Sequence, residues 1–167
     1  TLLNALTGRT KLARASHTPG RTQELNFFDV GPEGEERLRL VDMPGYGYAA
    51  ASKEKIAAWT GLMTGFLRGR ASLARVYVLV DGRHGIKDVD RQMMDLLDKS
   101  AVSYQVVLTK RDEVKKRDQD AMLEKTRQDL SRRPAAHPDV LFLSSHTGDN
   151  VEDLRAAIAR LMAERGA

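Results

Sequence analysis

The chain contains no cysteine, which excludes disulfide staples and thiolate metal sites. Its four histidines, His17, His84, His137 and His146, stand too far apart in sequence to suggest a zinc cluster, and each reads as a surface or loop residue. No run of about 18 apolar residues could span a bilayer. Residues 1–8 lack the charged, apolar and cleavage regions of a secretory leader, so a cytoplasmic location without membrane association is expected. Internal repeats and low-complexity tracts are missing too. What is left is 167 residues, 41% of them hydrophobic, enough to bury a core and typical of a single domain over 1–167. Acidic residues are missing from 1–23, where Arg9, Lys11, Arg14 and Arg21 are unopposed and equal the net charge of +4. Such a segment either faces phosphate, of nucleotide or RNA, or is a solvated basic stretch, and composition leaves both open.

Strand-like and helical patterns alternate along the rest of the chain. Residues 24–30 and 37–41 read as strands joined across the turn-rich Gly31-Pro32-Glu33-Gly34. Residues 76–80, 104–108 and 140–143 are short, nearly continuous apolar runs rich in β-branched residues, as buried parallel strands should be. Between and after them largely apolar sets recur at helical spacing: Trp59, Leu62, Met63, Phe66 and Leu67; Val89, Met93, Leu96 and Leu97; Met122, Leu123, Thr126 and Leu130; Val151, Leu154, Ile158 and Leu161. Asn150 is the expected cap of the last helix, with Glu152 and Asp153 in its first turn. Trp59 and the methionines are read as core packing. The pattern is an α/β domain with a doubly wound, mostly parallel sheet, whose ligands bind at the carboxyl ends of the strands.

Three motifs fall at those ends. Asp42-Met43-Pro44-Gly45 closes the second strand, Thr109-Lys110-Arg111-Asp112 the fourth, and Leu143-Ser144-Ser145 the fifth. Singly, each is weak, since an acid before Pro-Gly is an ordinary turn. In this order, each after a strand, they point to a guanine-nucleotide site. The Asp112 carboxylate can accept from guanine N1 and the exocyclic amine, a donor pair that adenine does not present. Lys110 can lay its aliphatic stem over the base. Thr109 is expected to tie neighbouring loops together through its hydroxyl, and the backbone donors of Ser144 and Ser145 to meet guanine O6. Asp42 is the acid expected to hold Mg2+ through a water, and Gly45 lets the backbone approach the terminal phosphate. Upstream, Gly20, Arg21, Thr22, Gln23 and Glu24 form a switch candidate. There the Thr22 hydroxyl would join Asp42 on Mg2+ only while a γ-phosphate is present. An ordinary loop threonine is the alternative reading.

These motifs, Pro19-Gly20-Arg21-Thr22-Gln23, Asp42-Met43-Pro44-Gly45-Tyr46-Gly47-Tyr48-Ala49, Thr109-Lys110-Arg111-Asp112 and Ser144-Ser145-His146-Thr147-Gly148, together resemble the EngB-type ribosome-biogenesis GTP-binding proteins. The resemblance runs from Leu2-Leu3-Asn4-Ala5-Leu6, similar to the helix after a phosphate loop, to the final helix. It implies a P-loop GTPase fold and a monomeric, magnesium-dependent GTPase that binds GTP and GDP. Its implied partner is the large ribosomal subunit and its RNA during assembly, with a role in cell division and septation. The family's G-x-x-x-x-G-K-S loop would end just before Thr1, so this chain is expected to lack that loop and the strand before it. Where Ras-like GTPases carry a water-orienting glutamine after D-x-x-G, this chain has Tyr46, so slow intrinsic hydrolysis is expected and no catalytic residue is assigned. Two rivals to a hydrolytic switch stay open: a nucleotide-responsive ribosome-binding module in which hydrolysis is incidental, and a fragment that binds nothing without its phosphate loop.

Overall fold

A computed structural model describes residues 2–8, 25–35, 37–43, 45, 53–68 and 70–166, with 55 and 56 given by backbone alone. The basic opening segment, the switch candidate Gly20, Arg21, Thr22, Gln23 and Glu24, and also Pro44 and Tyr46 lie outside the described residues.

The elements follow as α1 (Leu2–Thr7), β1 (Asn26–Val30), β2 (Leu38–Asp42), α2 (Lys53–Leu67), β3 (Val76–Asp81), α3 (Asp88–Lys99), β4 (Tyr104–Thr109), α4 (Lys116–Leu130), β5 (Leu141–Phe142) and α5 (Val151–Glu164). β1 and β2 form an antiparallel hairpin whose register sets Asp29 opposite Arg39, and their side chains pair at 2.6 Å. The connection between them is closed by a hydrogen bond from Glu35 N to Pro32 O, with Gly34 in the left-handed region at φ 82°. β3, β4 and β5 form a parallel sheet in that order. The two sheets are separate; β2 and β3 pair only with β1 and β4 respectively among the described residues.

β4 is the centre of the parallel sheet, and Tyr104 to Leu108 are all buried. Side chains alternate across a strand, so β4 feeds two cores. Val106 and Leu108 join Val78 and Val80 of β3 against Met63, Phe66 and Leu67 of α2, Met93, Met94 and Leu97 of α3, and Leu130 of α4. On the other face Val107 and Leu143 meet Leu154 and Ile158 of α5, with Leu2 and Leu6 of α1 packed alongside. Helices on both faces of a parallel sheet make this a doubly wound α/β fold, as expected. The hairpin leans on both cores, through Val41 and Met43 on one and Leu38 on the other.

Three local expectations are corrected. β5 is two residues long instead of four, because the chain beyond Phe142 turns away into the loop that follows; Leu143 N still donates to Leu108 O at 2.9 Å. Leu62, expected on the apolar stripe of α2, is exposed. Asn150 occupies the cap position of α5 but caps nothing with its side chain. Its backbone is left-handed at φ 60°, and its amide donates to the Phe142 carbonyl at 2.8 Å.

Candidate functional site

The parallel register brings Asp81 beside Thr109, and Leu108 beside Phe142, so the three strands end level with one another. Everything the sequence placed after β4 and β5 is gathered at this edge. Gly82 N donates to the Thr109 carbonyl at 2.9 Å, and the Thr109 hydroxyl donates to Val80 O at 3.3 Å. The threonine thus ties the end of β4 to the end of β3. A β-carbon on Gly82 would come within 2.6 Å of Thr109 O and 2.5 Å of Phe142 Cε2, so only glycine lets the strands converge this closely.

After Thr109 the chain makes a sharp reversal. Lys110 is left-handed, with φ 57° and ψ 38°, and residues Arg111–Glu113 form a single 3-10 turn. The loop after β5 grips that turn. Arg111 N donates to Leu143 O at 3.1 Å, and Ser144, fully buried, donates its hydroxyl to Asp112 Oδ1 at 2.7 Å. The Ser144 Oγ in turn accepts from Thr147 N at 3.2 Å. Asp112 is itself solvent-exposed, and its Oδ2 accepts no hydrogen bond among the described residues. The result is a carboxylate fixed by one oxygen and open at the other, suited to accept from a planar ligand with adjacent N–H donors.

The expected donors on the β5 side divide. Ser144 N is committed to Asp149 O at 2.9 Å, so the pairing of both serine amides with a base oxygen is corrected: Ser144 serves through its side chain. The N–H groups of Ser145 and His146 carry no hydrogen bond among the described residues and are the ones open to an acceptor. Arg111, within the same motif, turns its side chain to α4. Its guanidinium donates to Gln119 Oε1 of α4 at 3.0 Å, and Gln119 returns its amide to the carbonyls of Arg111 and Val114. Arg111 and Leu143 therefore build the site through their backbones.

Sequence reasoning missed the third strand's contribution. Asp81, the last residue of β3, accepts from the backbone N–H of Arg83 at 2.9 Å and from its guanidinium at 2.8 Å, and lies 3.3 Å from Lys110 Nζ. Hydrogen bonding from Arg83 outweighs desolvation and, helped by Lys110, holds the Asp81 carboxyl well below the usual carboxylate range. The signal was present: an Asp-Gly pair at the carboxyl end of a strand meets the same positional rule that selected Asp42, Thr109 and Ser144.

Asp42 ends β2, with Met43 half-buried and Gly45 exposed beyond it. Loss of hydration by the surrounding chain raises the Asp42 pKa. A hard oxygen of this kind suits Mg2+. Among the described residues no group of three or more His, Asp or Glu side chains could hold a metal ion, so a cation at Asp42 would need its other ligands from a bound phosphate, water or the remaining chain.

A family profile described as "50S ribosome-binding GTPase" matches residues 1–110. The "Probable GTP-binding protein EngB" of Rhodopseudomonas palustris strain HaA2 is 63% identical over 98% of this chain and 75% of its own. The chain belongs to the EngB family. Its Nitrobacter winogradskyi relative, under the same description, is 61% identical over 98% of this chain and 74% of its own length. Among solved structures, one of a probable GTP-binding protein engB superposes with a TM-score of 0.70 over 98% of this chain and 91% of that one, at 20% identity. A bacterial selenocysteine-specific elongation factor, EF-Sec, matches with a TM-score of 0.69 over 98% of this chain and 26% of its own, also at 20% identity. At that identity the structural likeness speaks for the fold alone. Membership in the EngB family rests on the sequence relatives, and the fold agrees with it. No helix among the described residues is long and apolar enough to cross a membrane.

Proposed function

We propose that this chain binds GTP and GDP through the loops after β4 and β5 and works as a magnesium-dependent switch with slow GTP hydrolysis. The observation that carries this reading is the 2.7 Å bond from Ser144 Oγ to Asp112 Oδ1. It ties a carboxylate with a free oxygen to the loop in which the Ser145 and His146 amides are also open. Guanine presents N1–H and an exocyclic amine next to a carbonyl, which is the complement of that arrangement; adenine, with an acceptor at N1, is not. Lys110 supplies an apolar stem for the base plane. Asp42, Met43, Pro44 and Gly45 would face the phosphates, with Asp42 holding Mg2+ through water and Thr22 reaching it from the segment 20–24 in the triphosphate state. When bound, the cation would bridge and neutralise phosphate oxygens.

The family description supports placing the switch on the large ribosomal subunit; contact with its RNA, a part in subunit assembly and consequences for cell division and septation are carried by the motif resemblance alone. We read the protein as a cytoplasmic monomer. Tyr46, in place of a water-orienting glutamine, favours low intrinsic turnover and keeps a second reading in view, a ribosome-binding module for which hydrolysis is incidental. Turnover stimulated by large ribosomal subunits separates the two.

The deciding experiment is Asp112→Asn in the full-length protein, measured by titration calorimetry. GTP affinity falls because one of the two acceptors becomes a donor facing the exocyclic amine of guanine. Affinity for xanthosine triphosphate rises because that base offers an acceptor there. Losing one charge-assisted hydrogen bond pair at about 1.5–3 kcal/mol weakens GTP by roughly ten- to a hundredfold. Unchanged GTP affinity would sink the assignment.

A further inference from the structure

The four charged groups around the Lys110 turn form a closed chain. Lys110 Nζ lies 3.3 Å from Asp81 Oδ2; Asp81 is held by Arg83 through both carboxylate oxygens; and Arg83 Nη1 lies 3.1 Å from Glu113 Oε2. Lys110 and Glu113 flank Asp112 on the same turn, so a chain that leaves this segment at 110 returns to it at 113 after passing through the end of β3. We propose that Asp81, seconded by Arg83 and Glu113, is a positioning residue for nucleotide recognition, fixing the pose of Lys110 against the base and so setting how long the nucleotide stays. The proposal rests on the guanine-site reading above and adds residues that it does not use.

Isolated exposed ion pairs contribute little, because ordering two long side chains offsets the Coulomb gain. Three features set this one apart. First, the Asp81 carboxylate accepts from the Arg83 backbone N–H at 2.9 Å as well as from its guanidinium, so the acid is fixed before Lys110 reaches it. Second, only 26% of the Asp81 side chain is accessible, against 49% for Lys110; the acid is the sheltered partner and the lysine the exposed one. Third, Gly82, between Asp81 and Arg83, sits against Thr109 O, where no β-carbon fits, so β3 and the Lys110 turn cannot drift apart without breaking the Gly82 N–H bond to that carbonyl. A free lysine loses rotamer entropy on being ordered. If Asp81 has already ordered it, base binding meets a smaller cost. The left-handed backbone of Lys110, an uncommon state for a residue with a β-carbon, is held from both sides, by Asp81 through its side chain and by the Arg111 N–H bond to Leu143 O.

The test is a double-mutant cycle in the full-length protein, reading the dissociation rate of a fluorescent GDP by stopped flow, with thermal unfolding of each variant alongside. Asp81→Asn keeps the shape and removes the charge; it is expected to speed GDP release about tenfold, the equivalent of one modest charge-assisted contact. Lys110→Met speeds release at least as much. The double variant Asp81→Asn with Lys110→Met releases GDP no faster than Lys110→Met alone, because Asp81 acts through the lysine. Multiplicative effects in the double variant, or an unchanged rate in Asp81→Asn, overturn the proposal. Arg83→Gln provides a second route should Asp81→Asn fold poorly: it leaves the Asp81–Lys110 pair but loosens it, and a rate equal to that of the parent likewise overturns the proposal. Asp112→Asn run beside them keeps the two readings apart. If it leaves GDP affinity intact the guanine site itself is wrong, whereas a loss there with no effect at Asp81 removes only the clamp.

Discussion

Asp81 illustrates how a single carboxylate can be tuned by its neighbours. Hydrogen bonds from Arg83, opposed by desolvation and aided by Lys110, lower its pKa in the folded chain. An unfolded aspartate titrates near 3.9. A group whose folded pKa is depressed contributes stability that is complete above the unfolded value and is lost as pH falls through the folded one. The difference in thermal stability between the parent and Asp81→Asn should therefore stay constant from pH 8 down to about 5 and close as the pH drops below about 4. Thermal scans across that series check it; a difference that closes near neutrality would mean that the carboxylate is not held by these cations. The candidate residues most legible in the sequence, Asp112 and Thr109, are those whose type is dictated by what they bind. Arg111 and Leu143 contribute backbone groups, which no residue type announces, so their roles emerged only from the hydrogen bonds.

At the scale of elements, α5 begins with a residue in an uncommon backbone state. Asn150 holds φ 60° and spends its amide on the Phe142 carbonyl, linking the start of α5 to the end of β5. Asparagine tolerates this region better than most residues with a β-carbon. Asn150→Ala loses the hydrogen bond and adds backbone strain, and is expected to cost about 1–3 kcal/mol in urea unfolding. Asn150→Gly loses only the bond and should cost less. If alanine proves the milder change, the left-handed backbone is not what selects this residue. The sequence showed a cap-forming residue before an apolar helical stripe, and the helix is there. It could not show that the side chain serves the preceding strand, because capping and bonding back to a strand call for the same short amide. β5 was similarly overread: the apolar run 140–143 continues past the point where pairing ends, since Leu143 is buried for its place under α5 as well as for its strand neighbour.

The molecule as a whole divides into parts of unequal protection. Residues of β1 and β2 are exposed or half-buried, Phe27 at 48% accessibility, whereas all of β4 from Tyr104 to Leu108 is buried. Local opening follows buried contact. Amide exchange followed by mass spectrometry should find the hairpin exchanging well before β4, with β3 in between because its outer edge has no paired strand among the described residues. Equal protection of hairpin and β4 would show that the two sheets open as one unit. The α/β class and the presence of three parallel strands were legible because burial on both faces forces continuous apolar runs. The separateness of the two sheets was not, since the edge a strand presents to a neighbour leaves no mark on its side-chain pattern.

Arg155 of α5 donates to the carbonyls of Ala5 and Leu6 at the end of α1, across 149 positions of sequence. Short helices depend on tertiary packing to persist in water. On the ribosome that makes it, α1 therefore emerges without the partner it needs. At about 5–20 residues per second, roughly 7–30 seconds pass before Arg155 is even polymerised. Through that interval Leu2 and Leu6 have no α5 to cover them, and this stretch is open to chaperones and to misassociation until α5 arrives.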